Sequence, residues 1–545
     1  MIGPEFDIII VGSGPAGVSA AFPLLSAGLR VLMVDGGHRP SVAPPARSFL
    51  SMRSDDPAQW EWMLGREFHA IKFREAASPK LRAPTHDYVF KDFIARNRIA
   101  AEHFIAVGSL AQGGLSNAWG CGVARFSDAD LAAFPCPTHE WDISYRAVAM
   151  RMGISGSRDD DLREYFGLDE WAQPPVELDV AHAFLEARYH KQRSKLINAG
   201  FRMGRSRVAA LTEPLDERLP CNLSGNCLWG CSRRALYSAA DDLIRLRRDF
   251  PNFRYEAGFV VEGVSRAGSG WKILSNQPGA SGCSEFGGTK IMLAAGTLAT
   301  TRLVLDALQI NTPVRVLSSP TAAFLLWLPT LLGIKRQDGF GLGQLSFALR
   351  LNGGDTGFGS TFATTGIPVT EFARHLPFGR RHSVDILRNL LSSCLAGNMF
   401  LPGHLSEATA RLDANGSLLI KGGHSESVPD LMAEAARKLR QAFWHLGGIV
   451  LPMSFTMGKS GGDIHYAGTL PMRQSPRQGE TDGLGTVQGL ENIHAVDGAC
   501  LPLLPEKSHT LTIMANADRI ARAVAKQWRA HVRVGNEFSL NKSEG

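Results

Sequence analysis

The first 35 residues contain a pattern that few folds can accommodate. The apolar run Phe6 to Val11 is typical of a buried parallel strand, and it leads into Gly12-Ser13-Gly14-Pro15-Ala16-Gly17 and a helix of small residues. Gly12 permits the tight turn, Gly14 lets the backbone approach a pyrophosphate, and Gly17 lets helix and strand pack closely. The positive end of the helix dipole then faces the phosphates. The pattern predicts a dinucleotide-binding unit built on a parallel sheet.

A second apolar strand strengthens this prediction. It runs from Arg30 to Val34 and ends in Asp35, whose carboxylate is placed to accept hydrogen bonds from the ribose hydroxyls of an adenosine. Pro23 lies inside the intervening helix and should bend it. The glycine run by itself does not distinguish FAD from NAD.

Composition excludes several classes of protein. With 44% hydrophobic and 20% charged residues, the chain is neither disordered nor fibrous. A net charge of +6 over 545 residues, with no basic block, argues against nucleic acid as a partner. No apolar run reaches the ~18 residues of a membrane-spanning helix. No secretory signal precedes the first strand, so we expect a cytoplasmic protein without a transmembrane segment.

The dinucleotide pattern returns later in the chain. Gly288 to Ala295 is a strand that leads into a helix ending at Leu308, and the strand Ile493 to Val496 precedes a helix from Thr510 to Trp528. Phe253 to Val264 and Trp271 to Ser275 are predicted to form an antiparallel pair. Residues 316 to 455 have short alternating segments, glycine turns and one amphipathic helix, which indicates an inserted sheet-based unit.

Four blocks, in this order, resemble the glucose-methanol-choline (GMC) family of flavin-dependent oxidoreductases. The second resembles the segment that runs under the isoalloxazine ring, the third the strand end near the FAD diphosphate, and the fourth the catalytic segment. The blocks are Gly12 to Asp35; Gly113-Gly114-Leu115-Ser116-Asn117-Ala118-Trp119-Gly120; Ala294-Ala295-Gly296-Thr297; and His465-Tyr466-Ala467-Gly468-Thr469 with Val496-Asp497-Gly498, Pro502 and Ser508-His509-Thr510. The second and fourth blocks favour FAD over NAD.

The resemblance implies an α/β fold with two domains. A Rossmann-like FAD-binding domain, discontinuous in sequence, would comprise residues 1–45, 95–150, 205–315 and 460–535. An α+β substrate domain on a mainly antiparallel sheet would comprise residues 46–94, 151–204 and 316–459, and residues 536–545 would form a loose tail.

The resemblance also implies how FAD is bound. Sugar oxidases of the family that bind FAD covalently carry a histidine one residue before the tryptophan of the second block, and this chain has Ala118 there. We therefore expect non-covalent FAD. The residues expected to contact it are Gly12, Gly14, Ala16, Gly17, Asp35, Gly113, Gly114, Ser116, Asn117, Ala118, Trp119, Ala295, Gly296, Asp497, Gly498 and Thr510.

Two histidines of the fourth block carry the functional prediction. Alcohol oxidation needs a base for the hydroxyl proton, and histidine suits this role because its ordinary pKa of ~6.5 lies close to working pH. His465 resembles the family's catalytic histidine, and His509 occupies the place that relatives fill with histidine or asparagine. We predict that His465 is the base and that His509 binds the substrate oxygen, although the roles can be exchanged.

The predicted reaction is oxidation of an alcohol to a carbonyl by hydride transfer to flavin N5, with oxygen or another electron acceptor. The second block resembles sugar-oxidising, pyranose oxidase-like branches, which favours a secondary hydroxyl of a sugar or glycoside by analogy alone. The alternatives are a lipid or sterol alcohol, a flavin-containing lyase or decarboxylase on the same fold, and a flavin-bound scaffold without activity.

Two further features leave alternatives open. Cys221, Cys227 and Cys231 could ligate an iron–sulfur cluster or zinc, but such sites usually need a fourth ligand and none is near in sequence, so we expect buried thiols and no metal. The apolar stretch Ala322 to Leu332 is either a core helix ending before Pro329 or an apolar surface. As a surface it would be a lip over the substrate entrance, a subunit contact or a membrane-surface contact.

Overall fold

The structure is a computed structural model that describes residues 5–52, 55–65, 79–277, 279, 281–335, 337–364, 367, 369–373 and 376–543. Its strands are β1 (Phe6–Val11), β2 (Val31–Asp35), β3 (Ile99–Glu102), β4 (Ile154–Ser155), β5 (Ala172–Gln173), β6 (Phe201–Arg205), β7 (Phe253–Ala257), β8 (Gly263–Ala267), β9 (Gly270–Leu274), β10 (Glu285–Leu293), β11 (Val314–Ser318), β12 (Thr321–Trp327), β13 (Gly343–Arg350), β14 (Thr356–Ala363), β15 (Cys394–Phe400), β16 (Ala408–Leu412), β17 (Leu418–Lys421), β18 (Ile449–Val450), β19 (Thr456–Met457), β20 (Tyr466–Ala467) and β21 (Ile493–Ala495). Its α-helices are α1 (Pro15–Ser26), α2 (Phe49–Met52), α3 (Gln59–Leu64), α4 (Asp87–Phe90), α5 (Phe93–Arg96), α6 (Asp128–Leu131), α7 (Thr138–Met152), α8 (Arg163–Phe166), α9 (Val180–Asn198), α10 (Ala239–Asp249), α11 (Thr297–Leu308), α12 (Val369–Ala373), α13 (Arg380–Leu390), α14 (Val428–His445) and α15 (Thr510–Ser543).

The predicted parallel unit is confirmed. β1 pairs in parallel with β2 on one side and β10 on the other, and the sheet order is β7-β2-β1-β10-β9-β8, with β21 also on β10. Ile8, Ile9 and Ile10 are fully buried, as expected for a strand covered on both faces. α1 continues through Pro23 and lies against α15. The N-terminal and C-terminal segments therefore build one layer.

The predicted pairing of Phe253 to Val264 with Trp271 to Ser275 is wrong in its first half. β7 pairs in parallel with β2, whereas the antiparallel hairpin is β8 with β9. Gly258, with a φ of +79°, ends the first strand and lets the chain leave the sheet. The run that the sequence predicts as one strand therefore contains β7 and the beginning of β8.

A second seven-stranded sheet, mainly antiparallel, is built largely from the predicted insertion, with β6 joining it from outside. Its order is β18-β12-β15-β14-β13-β6, with β19 also on β12. One of its faces is buried under α9 and α14 in a core that includes Phe324, Phe347 and Phe443. A third sheet has the order β20-β11-β16-β17-β3. The predicted fold class, a Rossmann-like unit with an α+β unit on an antiparallel sheet, is confirmed.

The stretch Ala322 to Leu332 is not a helix. Residues 321–327 form β12, which pairs with β15 along its whole length, and a short 3-10 turn follows at Pro329–Leu331. One face of this strand is buried, and the other, with Ala323 and Leu325, lines the cavity. Because the residues of both faces are mainly apolar, the run carries no period that distinguishes strand from helix. A subunit or membrane-surface contact through it stays a prediction.

α15 extends the predicted C-terminal helix. It runs from Thr510 to Ser543, beyond Trp528 and into the segment for which a loose tail was predicted. The segment contains no proline to stop a helix. No helix among the described residues is both long and apolar enough to cross a membrane.

Candidate active site

A cavity of about 980 Å³ is lined by residues of both seven-stranded sheets. Most of the predicted site residues line it: Gly12, Gly14, Ala16, Asp35, Gly114, Ser116, Ala118, Trp119, Ala295, Gly296, His465, Asp497, Gly498, His509 and Thr510. The other three, Gly17, Gly113 and Asn117, lie behind this surface and shape its loops. The fold thus brings four distant sequence blocks to one cavity.

The glycine turn fits a dinucleotide diphosphate. Gly12 has a φ of +106°, and a Cβ there would lie 2.3 Å from the carbonyl oxygen of Ala294 at the end of β10. A Cβ on Gly17 would lie 1.9 Å from the carbonyl oxygen of Gly12. Only glycine allows these approaches. They hold the N-terminus of α1 at the cavity, where its unpaired N–H groups suit an anion.

Asp35 is buried at the end of β2 and joins three segments. Its carboxylate accepts hydrogen bonds from the hydroxyls of Ser13 and Tyr255 and, at 2.8 Å, from the backbone N–H of Gly37. Burial raises the pKa of Asp35. The hydroxyl of Ser13 in turn accepts from the N–H of Gly113 at 3.1 Å. Asp35 therefore braces the turn as well as lining the cavity, and its predicted role toward a ribose stays a prediction.

The second block passes very close to the glycine turn. Gly114 has a φ of +60°, and a Cβ there would lie 3.0 Å from Cα of Gly14. The amide of Asn117 donates to the carbonyls of Gln112 and Gly114, each at 2.8 Å, which fixes the loop. The indole N–H of Trp119 donates to a backbone carbonyl at 2.9 Å. The backbones of Gly14 and Gly114 therefore pack against each other at the surface of the cavity.

Asp497 holds the segment that follows β10, next to the glycine turn. Its carboxylate accepts from the N–H of Gly296 at 2.9 Å, the hydroxyl of Thr300 at 2.6 Å and the N–H of Ala499 at 3.0 Å. Burial raises the pKa of Asp497 to about 6. These bonds hold the start of α11 against the cavity, so Asp497 acts on the site through the backbone that it orients.

The two predicted histidines face each other. The ring centroids of His465 and His509 are 4.8 Å apart, edge to face, and the ring of Phe400 lies 5.2 Å from that of His465. Burial lowers the pKa of His465 to about 4. Burial and the neighbouring His465 lower the pKa of His509 well below its ordinary value. Both rings are therefore neutral at neutral pH and able to accept a proton or a hydrogen bond.

Asp463 is a site residue that the sequence reasoning missed. Its buried carboxylate lies 3.7 Å from Nδ1 of His465, and it accepts from the hydroxyl of Ser318 at 2.8 Å and the N–H of Ser319 at 2.7 Å. Burial raises the pKa of Asp463 to about 7. An acid two residues before a candidate base was the available signal. Its negative charge favours a proton on His465.

Buried cations also line the cavity without any motif to announce them. The ammonium group of Lys80 donates to the carbonyl of Trp119, and burial lowers its pKa. Arg207 lies 2.6 Å from Asp160, an ion pair that holds it in place. Their chain neighbours carry no recognisable pattern, so only the fold could reveal them.

The three clustered cysteines are thiols in the structure. Burial raises the pKa of Cys227, and Cys221 and Cys231 raise it further. Burial, together with Cys231, raises the pKa of Cys121 to about 12. The fold thus brings near a fourth cysteine, which the sequence spacing did not suggest. Among the described residues, no group of three or more His, Cys, Asp or Glu is arranged to hold a metal ion.

Comparisons with known proteins concern the fold and the N-terminal segment. A profile described as pyridine nucleotide-disulphide oxidoreductase matches residues 6–89. Pyridoxine 4-oxidase from Mesorbium loti is similar in structure, with a TM-score of 0.58 and 15% identity over 95% of this chain and 99% of that one. Two variants of Aspergillus oryzae formate oxidase, described for their effect on FAD modification, match with TM-scores of 0.60 and 0.61 and identities of 13% and 14%. Each match covers 97% of this chain and 100% of the other.

No curated protein sequence matches the chain. At 13–15% identity the structural matches establish the fold, and they do so over nearly the whole length of both partners. The chain therefore has the fold of pyridoxine 4-oxidase and formate oxidase, and its N-terminal segment matches a pyridine nucleotide-disulphide oxidoreductase profile.

Proposed function

We propose that the protein is an FAD-dependent oxidoreductase that oxidises an alcohol to a carbonyl. The observation that carries this proposal is the pair His465 and His509, two neutral rings 4.8 Å apart in the same cavity as the glycine turn. Proton removal from a hydroxyl needs such a base, and a second ring can hold the oxygen from which the proton leaves.

The residues of the cavity fit FAD. The turn at Gly12 to Gly17 and the start of α11 at Gly296 place two helix N-termini at the cavity, where a diphosphate would be held. Gly114 and Trp119 would border the flavin, and Ala118 offers no atom for a covalent bond to it, which supports non-covalent binding. When bound, FAD supplies the acceptor for the hydride, at flavin N5.

His465 takes the hydroxyl proton in this proposal. Its low pKa keeps it unprotonated at neutral pH, and the carboxylate of Asp463, 3.7 Å away, stabilises the charge that the ring gains with the proton. His509 donates or accepts a hydrogen bond at the substrate oxygen. An exchange of the two roles remains compatible with the geometry, but only His465 has the carboxylate beside it.

The finer assignments are part of the proposal. The sugar or glycoside substrate rests on the resemblance of the second block, and a lipid or sterol alcohol is its alternative. The electron acceptor is oxygen or another oxidant. The division of the chain into a discontinuous FAD-binding domain and a substrate domain, with the boundaries given above, also remains our proposal.

Anaerobic reduction tests the proposal. Purified holoprotein is mixed without oxygen with alcohols of several classes, and the absorbance of oxidised flavin is followed. Bleaching by at least one alcohol, slowed in His465→Ala, supports alcohol oxidation. A lyase or decarboxylase would convert its substrate without net bleaching, and a scaffold protein would do neither.

A further inference from the structure

The wall of the cavity next to the histidines is one face of the antiparallel sheet. Residues directly opposite each other on paired strands share a face, and every second residue returns to it. The face toward the cavity is opposite to the one that buries Phe324 and Phe347 under α9 and α14. Strand register orders it into three rows: Thr321, Phe400 and Phe358; Ala323, Asn398, Ser360 and Ser346; and Leu325, Ala396 and Phe362.

The rows lie at increasing distance from the histidines. Phe400 of the first row has its ring 5.2 Å from that of His465. From Thr321 to Leu325, the first and third rows are four residues apart on β12, which at about 3.3 Å per residue corresponds to about 13 Å. A substrate whose hydroxyl is at His465 therefore meets aromatic rings first, then a polar row, then an apolar end.

The polar row is partly satisfied within the wall. The hydroxyl of Ser346 exchanges hydrogen bonds with those of Ser206 at 2.8 Å and Ser360 at 2.9 Å. The side-chain oxygen of Asn398 accepts from the N–H of Ser360 at 2.9 Å. A sugar brings several hydroxyls that lose water on binding, and each needs a partner. The first and third rows offer almost none.

The far end is closed by further apolar side chains. α12, α13 and the loops around them contribute Ile367, Phe372, Leu376, Leu387 and Leu390 to the cavity. None of the described residues between 343 and 400 that line it is charged. Asp463 and Lys459, which are charged, belong to the segment next to the histidines. The charge of Arg207, which follows Ser206 in the chain, is paired with Asp160 at 2.6 Å.

The rim of the cavity is apolar as well. Met453 and Met457 both line the cavity, and they are 84% and 47% exposed. Methionine side chains are flexible and adapt to apolar ligands of varied shape. An apolar substrate can therefore contact apolar side chains both at the rim and at the far end.

Resting on the proposed function, we infer that the substrate is an alcohol with an extended apolar body and not a free sugar. The body would follow the wall from the first row at Phe400 to the third row at Leu325 and Phe362, a separation of about 13 Å. The chemical class is a long-chain, aryl or polycyclic alcohol. The side-chain amide of Asn398 would provide a polar contact part of the way along it.

The test uses holoprotein and two matched series. 1-Alkanols and 2-alkanols of four to ten carbons, with glucose and methyl glucoside as polar members, are used for anaerobic flavin reduction. The methyl ethers of the same alkanols are used for calorimetric binding. Each added methylene should raise both the second-order reduction rate and the ether affinity about fourfold, until the chain fills the cavity.

Three variants locate the effect. Leu325→Thr should lower the affinity for the ten-carbon ether about tenfold relative to the four-carbon ether. Phe362→Leu, which stays apolar and is mild for the fold, should lower it in the same direction. Leu419→Thr makes the same change on β17, outside the cavity lining, and should leave the length dependence unchanged.

The outcomes separate this inference from the proposed function. If a sugar reduces the flavin faster than every alkanol and ether affinity does not rise with length, the inference is overturned while alcohol oxidation stands. If no alcohol bleaches the flavin but ether affinity rises with length and falls in Leu325→Thr, an apolar ligand binds along the wall as inferred, and the proposal of alcohol oxidation fails. A length dependence unaffected by either cavity variant also overturns the inference.

Discussion

Replacing Asp463 with asparagine removes the negative charge beside His465 and changes little else. The side chain keeps its size, its oxygen can still accept from the N–H of Ser319, and the hydroxyl of Ser318 can reverse its hydrogen bond to accept from the new amide. At the observed 3.7 Å, and with an effective dielectric constant of about 20, the attraction between the carboxylate and a protonated His465 is about 4 kcal/mol. Both groups lie in the protein interior, so little is lost to solvent screening. Proton transfer to His465 should slow by up to about 10³-fold.

The pH dependence gives this prediction its signature. The pKa of Asp463 is about 7, so in the parent protein the rate of anaerobic flavin reduction should rise as the pH increases through 7 and the carboxylate ionises. When the pH is lowered below 7, the rate should therefore decrease, and it should decrease again only near pH 4, where His465 becomes protonated. Asp463→Asn has no charge to gain, so its rate should lack the inflection near 7. The two proteins should differ most at pH 9 and approach each other at pH 5.

Stopped-flow reduction between pH 4.5 and 9.5 measures the inflection near pH 7 and the difference between the two proteins at pH 5 and pH 9. Asp413→Asn is the matched control, because Asp413 also accepts two hydrogen bonds, from Asn415 and Ser417, but lies in the turn between β16 and β17. It should behave as the parent protein. The reasoning is refuted if Asp463→Asn keeps the inflection near pH 7, or if it loses the same factor at pH 5 and pH 9, as a merely structural change would.

Three further predictions follow from the site. The rate of flavin reduction should decrease most in His465→Ala, by about 10² to 10⁴, less in His509→Ala and least in His509→Asn, because asparagine still offers a hydrogen bond to the substrate oxygen. Stopped-flow traces with one substrate rank the three variants. An unchanged rate in His465→Ala would show that His465 is not the base. Acid or heat denaturation should release free FAD into the supernatant, because Ala118 cannot form a covalent bond to flavin, and flavin retained by the precipitate would contradict this. Asp35→Ala should lower FAD occupancy after dialysis while the protein stays folded, since it loses hydrogen bonds to a charged group worth about 1.5 to 3 kcal/mol; unchanged occupancy would mean that Asp35 does not contact the ribose.

The local parts of the site could be predicted from the sequence because their chemistry depends on near neighbours. The turn at Gly12 to Gly17 needs glycine at fixed spacing. A Cβ on Gly12 or on Gly17 would lie 2.3 Å or 1.9 Å from a backbone carbonyl oxygen, which is too close for any other residue. The strand Phe6–Val11 could be predicted with its bounds because a mostly apolar run before a glycine turn, interrupted only by Asp7, is typical of a buried parallel strand. His465 and His509 stood out through the residues around them, before any distance was known.

Other features depend on which distant segments meet, and local sequence does not specify that. The apolar run Ala322 to Leu332 is compatible with either a strand or a helix, and pairing with β15 makes residues 321–327 a strand. The run Phe253 to Val264 contains β7 and the start of β8, and they are separate strands because β7 pairs in parallel with β2 while β8 pairs with β9. Asp463 acquires its raised pKa from burial that only the closed cavity provides.

The wall that faces the histidines shows the same division most clearly. Its apolar residues come from β12, β14 and β15 and from the helices between them, and no single segment indicates a substrate. Sequence by itself determined the cofactor turn, the parallel sheet and the histidine pair, because bond geometry and short-range packing fix them. Tertiary structure decided what the histidines face, because strand register brings Phe400, Asn398 and Leu325 onto one surface although they are far apart in the chain.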